Sequence, residues 1–371
     1  MTEPAEPREQ PCPPDYGDAC VTWLVPALLE GSREPDWLSS EVLAAPRVVL
    51  LVLDGLGWNQ LQQRAALAPT LAGLDGGPIT TVAPSTTSAA LTSIATGLPP
   101  GEHGVVGYRI AVDGAVLNAL RWSTGDGDAR RTIPPTDLQP HPVFDSQCPP
   151  VVTRAEFADS GFTEAHLSAT RLAGYTDRAE LVATTIGLAR AGEPFVYAYW
   201  DAVDRIAHEY GLGERYEQEL AACDAMVGDL LAGFPAGTAL VVTADHGQVH
   251  VGGNLLDLPP PVTSLLDGQS GEARFRWLHA RPGAADDLRA ATEEAFDGVG
   301  WVRSREEVEA AGWLGPRLTD AARSRLGDVA LLARGDVAFR DPAEVLPIEL
   351  IGRHGSLTAD EMLVPAIGCV V

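Results

Sequence analysis

Val48-Val49-Leu50-Leu51-Val52-Leu53-Asp54 is the stretch on which the fold turns. Six apolar residues in succession leave no polar face, so the run suits a strand covered on both sides, as in a parallel sheet. It ends abruptly in an acid. Two further runs share this form: Phe195-Val196-Tyr197-Ala198-Tyr199-Trp200 is followed by Asp201 and Asp204, and Ala239-Leu240-Val241-Val242 leads to Asp245-His246. Arg178 to Ala191 and Glu214 to Leu231 read as helices between them. The alternation predicts an α/β fold, a mostly parallel central sheet with helices on both faces. In open sheets of this kind, sites gather at the carboxyl ends of the strands. Three acidic exits therefore predict one shared site.

Working outward, residues 1–45 read as an N-terminal arm, loose over residues 1–20, followed by a short packing helix from Val21 to Leu29. Residues 46–260 and 341–371 form the α/β core, which the chain re-enters through Glu344 to Ile351 and closes with a strand from Met362 to Val371. Residues 261–340 read as a small inserted α+β subdomain. There Arg274 to His279 alternates like an exposed strand, and Ala284 to Phe296 and Ser304 to Ala311 are helical in pattern.

Charge narrows the function classes. Against 51 acidic residues stand 26 basic ones, a formal net charge of -25, which repels nucleic-acid backbones and anionic membranes. Every one of those bases is Arg, so any phosphate clamp is built from Arg, metal or backbone N–H groups. The five cysteines are scattered with no CxxC pair, which argues against a disulfide framework and a cysteine zinc site. The start, Met1 to Asp18, is polar and Pro-rich and has no apolar signal region, and no run reaches the roughly 20 apolar residues of a membrane span. A cytoplasmic location is the expectation.

The densest chemistry lies from Thr80 to Gly97. Pro84 ends an extended stretch, the hydroxyls of Ser85 to Ser88 follow, and Gly97 suits a helix C-cap. Those hydroxyls therefore sit at a helix N-terminus, where free N–H groups and the dipole favour an alkoxide or a phosphate. Taken alone, they read first as helix caps. Asp204-Arg205-Ile206-Ala207-His208 places a carboxylate and an imidazole on one helical face, a pattern exposed helices also show. Asp245-His246-Gly247 follows a strand, and Gly352-Arg353-His354-Gly355 precedes the last one. Each is weak alone. Together, Asp54, Asp204, His208, Asp245, His246 and His354 form a mixed O and N donor set suited to two divalent cations, Zn²⁺ first and Mn²⁺ as the alternative.

In order and spacing these pieces resemble the type I phosphodiesterase/nucleotide pyrophosphatase family of the alkaline phosphatase superfamily. The carriers are Asp54, Pro84 to Thr87, Thr96-Gly97-Leu98-Pro99-Pro100-Gly101-Glu102-His103-Gly104, Asp204 to Gly211, Asp245 to Gly247, and His354-Gly355. The match spans about residues 46 to 255 and the final 30 or so. It implies an alkaline phosphatase-like core that hydrolyses phosphate esters of phosphodiester or nucleotide pyrophosphate type. It selects Thr87, ten residues before Gly97, as a nucleophile that forms phospho-threonine. It implies one metal on Asp204, His208 and His354, and another on Asp54, Asp245, His246 and Thr87 Oγ1. Asp201 is then a neighbour, and His103 and His250 are structural.

At the substrate, the backbone N–H of Ser88 is a candidate donor to phosphoryl oxygens. Members that cleave nucleotide diesters place an Asn where this chain has Tyr108, which can donate a hydrogen bond or simply pack. Arg109, Arg121, Arg154 and Arg171 lie in candidate pocket segments, and nothing in the spacing picks one. The expected partner is a small-molecule phosphate ester. Phosphomonoesterase, phosphonate hydrolase and phosphosugar mutase activities share such a core, and a non-catalytic metal-stabilised binding protein is the alternative outside catalysis.

Overall fold

The structure is a computed structural model that describes residues 10–31, 35–345 and 348–371. Seven strands form its main sheet: β1 (Arg47–Leu53), β2 (Asp75–Thr80), β3 (Pro150–Arg154), β4 (Arg171–Tyr175), β5 (Phe195–Trp200), β6 (Thr238–Thr243) and β7 (Leu363–Val370). Their order is β2-β7-β6-β1-β5-β3-β4. β1 lies at the centre, parallel to β5 and β6, and all three are buried almost throughout. This is why their sequences show unbroken apolar runs. β7 runs antiparallel to β6 and β2, and the remaining pairs are parallel. The sheet is therefore the mostly parallel one expected.

β2 and β4 were not legible in the sequence for a physical reason. They form the two edges, their exposed residues need no apolar side chains, and β2 begins Asp75-Gly76-Gly77-Pro78. Four helices matter for the site: α1 (Thr87–Thr96), α2 (Arg178–Arg190), α3 (Ala202–Tyr210) and α4 (Glu214–Gly233). α4 buries Tyr216, Leu220, Cys223, Val227 and Leu230 at three- and four-residue steps, the stripe of a helix lying on a core. α1 is buried from Thr87 to Ala95, so small Ala and Ser side chains let the neighbours close round it. No helix among the described residues is long and apolar enough to cross a membrane.

A separate antiparallel sheet comprises Leu266–Glu272, Phe275–Ala280, Val329–Ala333 and Gly300–Ser304 in that spatial order. The helix Ala285–Ala295 packs Leu288 into a cluster with Leu278, Val302, Leu331 and Phe339. The expected exposed strand at Arg274 to His279 is instead interior, with Phe275, Arg276, Trp277 and Leu278 all buried. The alternation is real, but its polar face is neutralised by partners. Arg274 grips Glu361 through two bonds, Nε to Oε1 at 2.7 Å and Nη2 to Oε2 at 2.8 Å, and Arg276 Nη2 meets Glu344 at 2.5 Å.

One expectation near the N-terminus changes. Residues 10–20 are pinned: Cys12 N donates to Leu357 O at 2.7 Å, Asp15 N to Thr80 Oγ1 at 2.8 Å, and Cys20 pairs with Thr80. Residues 1–9 lie outside the described residues. The packing helix expected from Val21 to Leu29 is present: Val21–Trp23 winds tightly and Pro26–Glu30 widely, with Leu24 and Val25 right-handed helical between them.

Candidate active site

The carboxyl ends of β1, β5 and β6 bring three acids together. Asp54 N donates to Trp200 O at 2.9 Å, Asp204 N donates to Asp54 O at 3.0 Å, and Gly55 N donates to Asp245 Oδ1 at 3.0 Å. Gly55 permits this closeness. Its φ is +74°, and a Cβ there would lie 2.9 Å from Asp204 Cβ and 3.0 Å from its Cα.

Three imidazoles complete the cluster, and all are oriented alike. His246 Nδ1 faces Gly247 O at 3.0 Å, His208 Nδ1 faces Gly352 O at 2.7 Å, and His354 Nδ1 faces Ser85 O at 2.8 Å. A nitrogen against a carbonyl carries the proton, so in each neutral ring Nε2 holds the lone pair. His246 Nε2 lies 3.1 Å from Thr87 Oγ1, 3.3 Å from Asp245 Oδ2 and 3.5 Å from Asp54 Oδ1. His208 Nε2 and His354 Nε2 lie 3.3 and 3.7 Å from Asp204 Oδ1. The rings of His246 and His354 stack at 3.4 Å, joining the two groups.

Within each group, Asp54–Asp245–His246 and Asp204–His208–His354, the donor atoms lie within 4.8 Å of one another. Asp54 Oδ1 and Asp245 Oδ2 are buried without a hydrogen-bond partner. Burial, then the neighbouring charges of Asp245 and Asp204, holds Asp54 well above the usual carboxylate range, and burial raises Asp245. Burial and the flanking His246 and His208 hold His354 well below an ordinary histidine. Lone pairs facing carboxylates at such distances repel unless something positive lies between them. The donor set therefore fits divalent cations.

Thr87 is the first residue of α1, after the N-cap Thr86, and only 8% of it is exposed. Its loop is tied to that of His354: Ser85 Oγ donates to Ser356 O at 2.7 Å and accepts from Gly355 N at 3.1 Å. Two cavities meet at Thr87. One, of about 230 Å³, is faced by Leu91, Phe157, Phe162, Tyr197 and Tyr199. The other, of about 210 Å³, is faced by Tyr108, Glu272, Arg353 and His354.

The other expected residues divide. Tyr108 lines the second cavity, with its hydroxyl accepting from Asn118 Nδ2 at 2.6 Å. The Ser88 hydroxyl is buried and donates to Gly107 O at 2.8 Å, while its backbone N–H sits in the first helical turn, where no intrahelical acceptor is available. Asp201 is held by Arg154 at 3.3 Å, and His250 is exposed at the edge, accepting from Leu212 N.

Sequence reasoning missed Tyr199, which donates to Asp54 Oδ2, and Gln248, which donates to Asp204 Oδ1. It also missed Glu272, buried beside Thr86 and Tyr108, with a carboxyl that burial pushes up to about 8. Only Gln248 carried a signal, standing directly after Asp245-His246-Gly247.

His103 is fully buried, with Nε2 2.9 Å from Ser93 Oγ and Nδ1 accepting from Val105 N at 3.1 Å. Burial pushes its pKa down to about 3, from an ordinary 6.5. As pH falls below 6.5, the unfolded chain takes up this proton first, so this contribution is complete above 6.5 and lost toward 3. At pH 5 the loss is about 2 kcal/mol. The stability gap between wild type and His103→Asn, measured by denaturant titration, should narrow by about that amount from pH 7 to pH 5. An unchanged gap would show that the buried ring takes up its proton over the same pH range as in the unfolded chain.

The sequence profile described as type I phosphodiesterase / nucleotide pyrophosphatase matches residues 48–170 and 119–357. The chain belongs to that family. Phosphoester hydrolysis is its chemistry, and the family is metal-dependent. Among solved structures, murine ectonucleotide pyrophosphatase/phosphodiesterase 5 aligns at TM-score 0.62 and 16% identity, covering 86% of this chain and 87% of that one. The murine protein is also known as an inactive threonine-to-alanine variant in complex with AMP. Phosphonoacetate hydrolase from Sinorhizobium meliloti, in complex with phosphonoformate, aligns at TM-score 0.64 and 19% identity over 92% of each chain. At such identities the likeness is one of fold. A search of the curated proteins found no match.

Proposed function

We propose that this family member hydrolyses phosphodiesters or pyrophosphate-type linkages, with Thr87 Oγ1 as nucleophile. Asp54, Asp245 and His246 would hold one divalent cation and Asp204, His208 and His354 a second, with Zn²⁺ suited to the mixed donors and Mn²⁺ the alternative. The observation that carries this reading is the contact between Thr87 Oγ1 and His246 Nε2, 3.1 Å, in a cluster where Asp54 Oδ1 and Asp245 Oδ2 are buried with no hydrogen-bond donor. Cations held there would lower the barrier to deprotonating the hydroxyl and offset charge on the attacking and leaving oxygens.

The residues do the rest. Thr87 Oγ1 attacks phosphorus, the bond to the leaving oxygen breaks, and the phosphoryl group stays on Thr87 until water displaces it. The first turn of α1 aims its free N–H groups, Ser88 among them, at the phosphoryl oxygens. Tyr199 and Gln248 fix the carboxylates of Asp54 and Asp204 through hydrogen bonds.

Cavities on both sides of Thr87 leave room for two substituents on phosphorus, which favours a diester over a monoester. The murine relative's complex with AMP and the bacterial one's complex with phosphonoformate support a small phosphoryl or phosphonyl ligand as the kind of molecule this chain takes. The test is paired hydrolysis of bis-p-nitrophenyl phosphate and p-nitrophenyl phosphate with Zn²⁺ or Mn²⁺. A kcat/KM at least roughly tenfold higher for the diester is expected. Preference for the monoester would overturn the diester assignment.

A further inference from the structure

The arginines of this chain that lie within the protein are nearly all matched. Arg274 and Arg276 have Glu361 and Glu344, Arg109 has Asp341, and Arg325 donates to the carbonyls of Gly104 and Leu138. Of the remaining pocket candidates, Arg154 is held by Asp201 and Glu156, Arg171 by Glu193, and Arg121 lines neither cavity at Thr87. Arg353 differs. It is 5% exposed and makes no ion pair or side-chain hydrogen bond among the described residues, and its Nε is buried without a partner.

Its place is well defined. Gly352–Arg353 pairs with Val249–His250, Gly352 lies so close to α3 that a Cβ would meet Ala207 O at 2.4 Å, and the next residue is His354. Arg353 lines the cavity shared by Thr87, Tyr108, Glu272 and His354, and also an adjoining one beside Glu344 and Glu349. A second orphan faces the first of these: Glu272, 6% exposed, has Oε1 buried and unpartnered. Glu344 and Glu349 are near enough to act on Arg353 but neither pairs with it, which leaves its planar fork, suited to carboxylate and phosphate oxygens, without a paired anion.

We propose that Arg353 binds a second anionic group of the substrate, a carboxylate or a phosphate carried on the substituent that occupies the Tyr108–Glu272 side of Thr87. This rests on the phosphoester reading of the site and narrows it: the preferred substrate carries a negative charge beyond the reacting phosphorus. The residue sits beside a proposed metal ligand on a paired strand, so it holds the anion at a fixed offset from Thr87.

The probes are propylphosphonate, 3-phosphonopropionate and ethane-1,2-diphosphonate, titrated calorimetrically into the zinc-loaded protein. All three share a phosphonate, and only the last two add an anion. Wild type should bind the better of these roughly 10- to 100-fold more tightly than propylphosphonate, and which one it is names the anion. In Arg353→Gln that ratio should collapse toward one, and Arg353→Lys should recover part of it. A wild-type ratio near one overturns the proposal without any variant being needed, and a ratio that survives in Arg353→Gln overturns the assignment to this residue. The same titration on Thr87→Ala separates the two readings. Turnover retained in that variant sinks the nucleophile and leaves the ratio standing, whereas a lost ratio with Thr87-dependent turnover sinks only the Arg353 site.

Discussion

Thr87→Ala is expected to fold, bind its metals and lose turnover of bis-p-nitrophenyl phosphate by about 10⁴-fold or more. The substitution removes one oxygen from the first position of α1, where alanine is a good helix former, so the backbone has no reason to move. The neighbouring hydroxyls are engaged elsewhere, that of Thr86 with Glu272. Ser85 Oγ is engaged with Ser356 and Gly355, and Ser88 Oγ donates to Gly107 O. Thr87→Ser should keep measurable activity because it keeps the oxygen. The check is kcat/KM beside metal content per chain. Activity within tenfold of wild type, with metals in place, would move the nucleophile elsewhere.

The second large effect concerns the metals. His246→Ala removes the nitrogen that faces Asp54, Asp245 and Thr87 together, and leaves two buried carboxylates with unpartnered oxygens. One cation site should be lost, with turnover down by about 10³-fold or more. Chelation of wild type should act through the same charges. Without cations, Asp54 and Asp245 face each other under burial that already raises both. Binding to the native state alone contributes about 4 kcal/mol when free metal exceeds Kd a thousandfold. Melting in the presence and absence of chelator measures this, and the transition should return on adding Zn²⁺. A transition indifferent to both would show that the acids are neutralised by their own protons.

The fold was legible where two-sided burial covers a long apolar run; β3, interior but short and polar at its end, was not read as a strand. β1, β5 and β6 have cover on both faces, so their sequences could hold nothing but apolar residues up to the acids at their ends. Edge strands escape this rule, and Asp75-Gly76-Gly77-Pro78 gives no hint of pairing with β7. The six candidate ligands were legible because Asp and His after strands and before glycines are few and chemically particular. Their supports were not, since tyrosine and glutamine serve too many purposes for Tyr199 or Gln248 to stand out before their contacts are seen. Arg274 and Arg276 misled because arginine in alternation signals solvent, and only tertiary structure supplies Glu361 and Glu344. Arg353 stood within a quoted motif, yet what sets it apart is the lack of a partner, which no sequence displays.

The pairing of cations beside Thr87 is tested most directly by anomalous diffraction from a zinc-grown crystal, with data on both sides of the zinc edge. Two peaks roughly 3.5–4 Å apart are expected, one enclosed by Asp54, Asp245 and His246 and the other by Asp204, His208 and His354. A single peak, or peaks away from Thr87 Oγ1, would contradict the two-metal site.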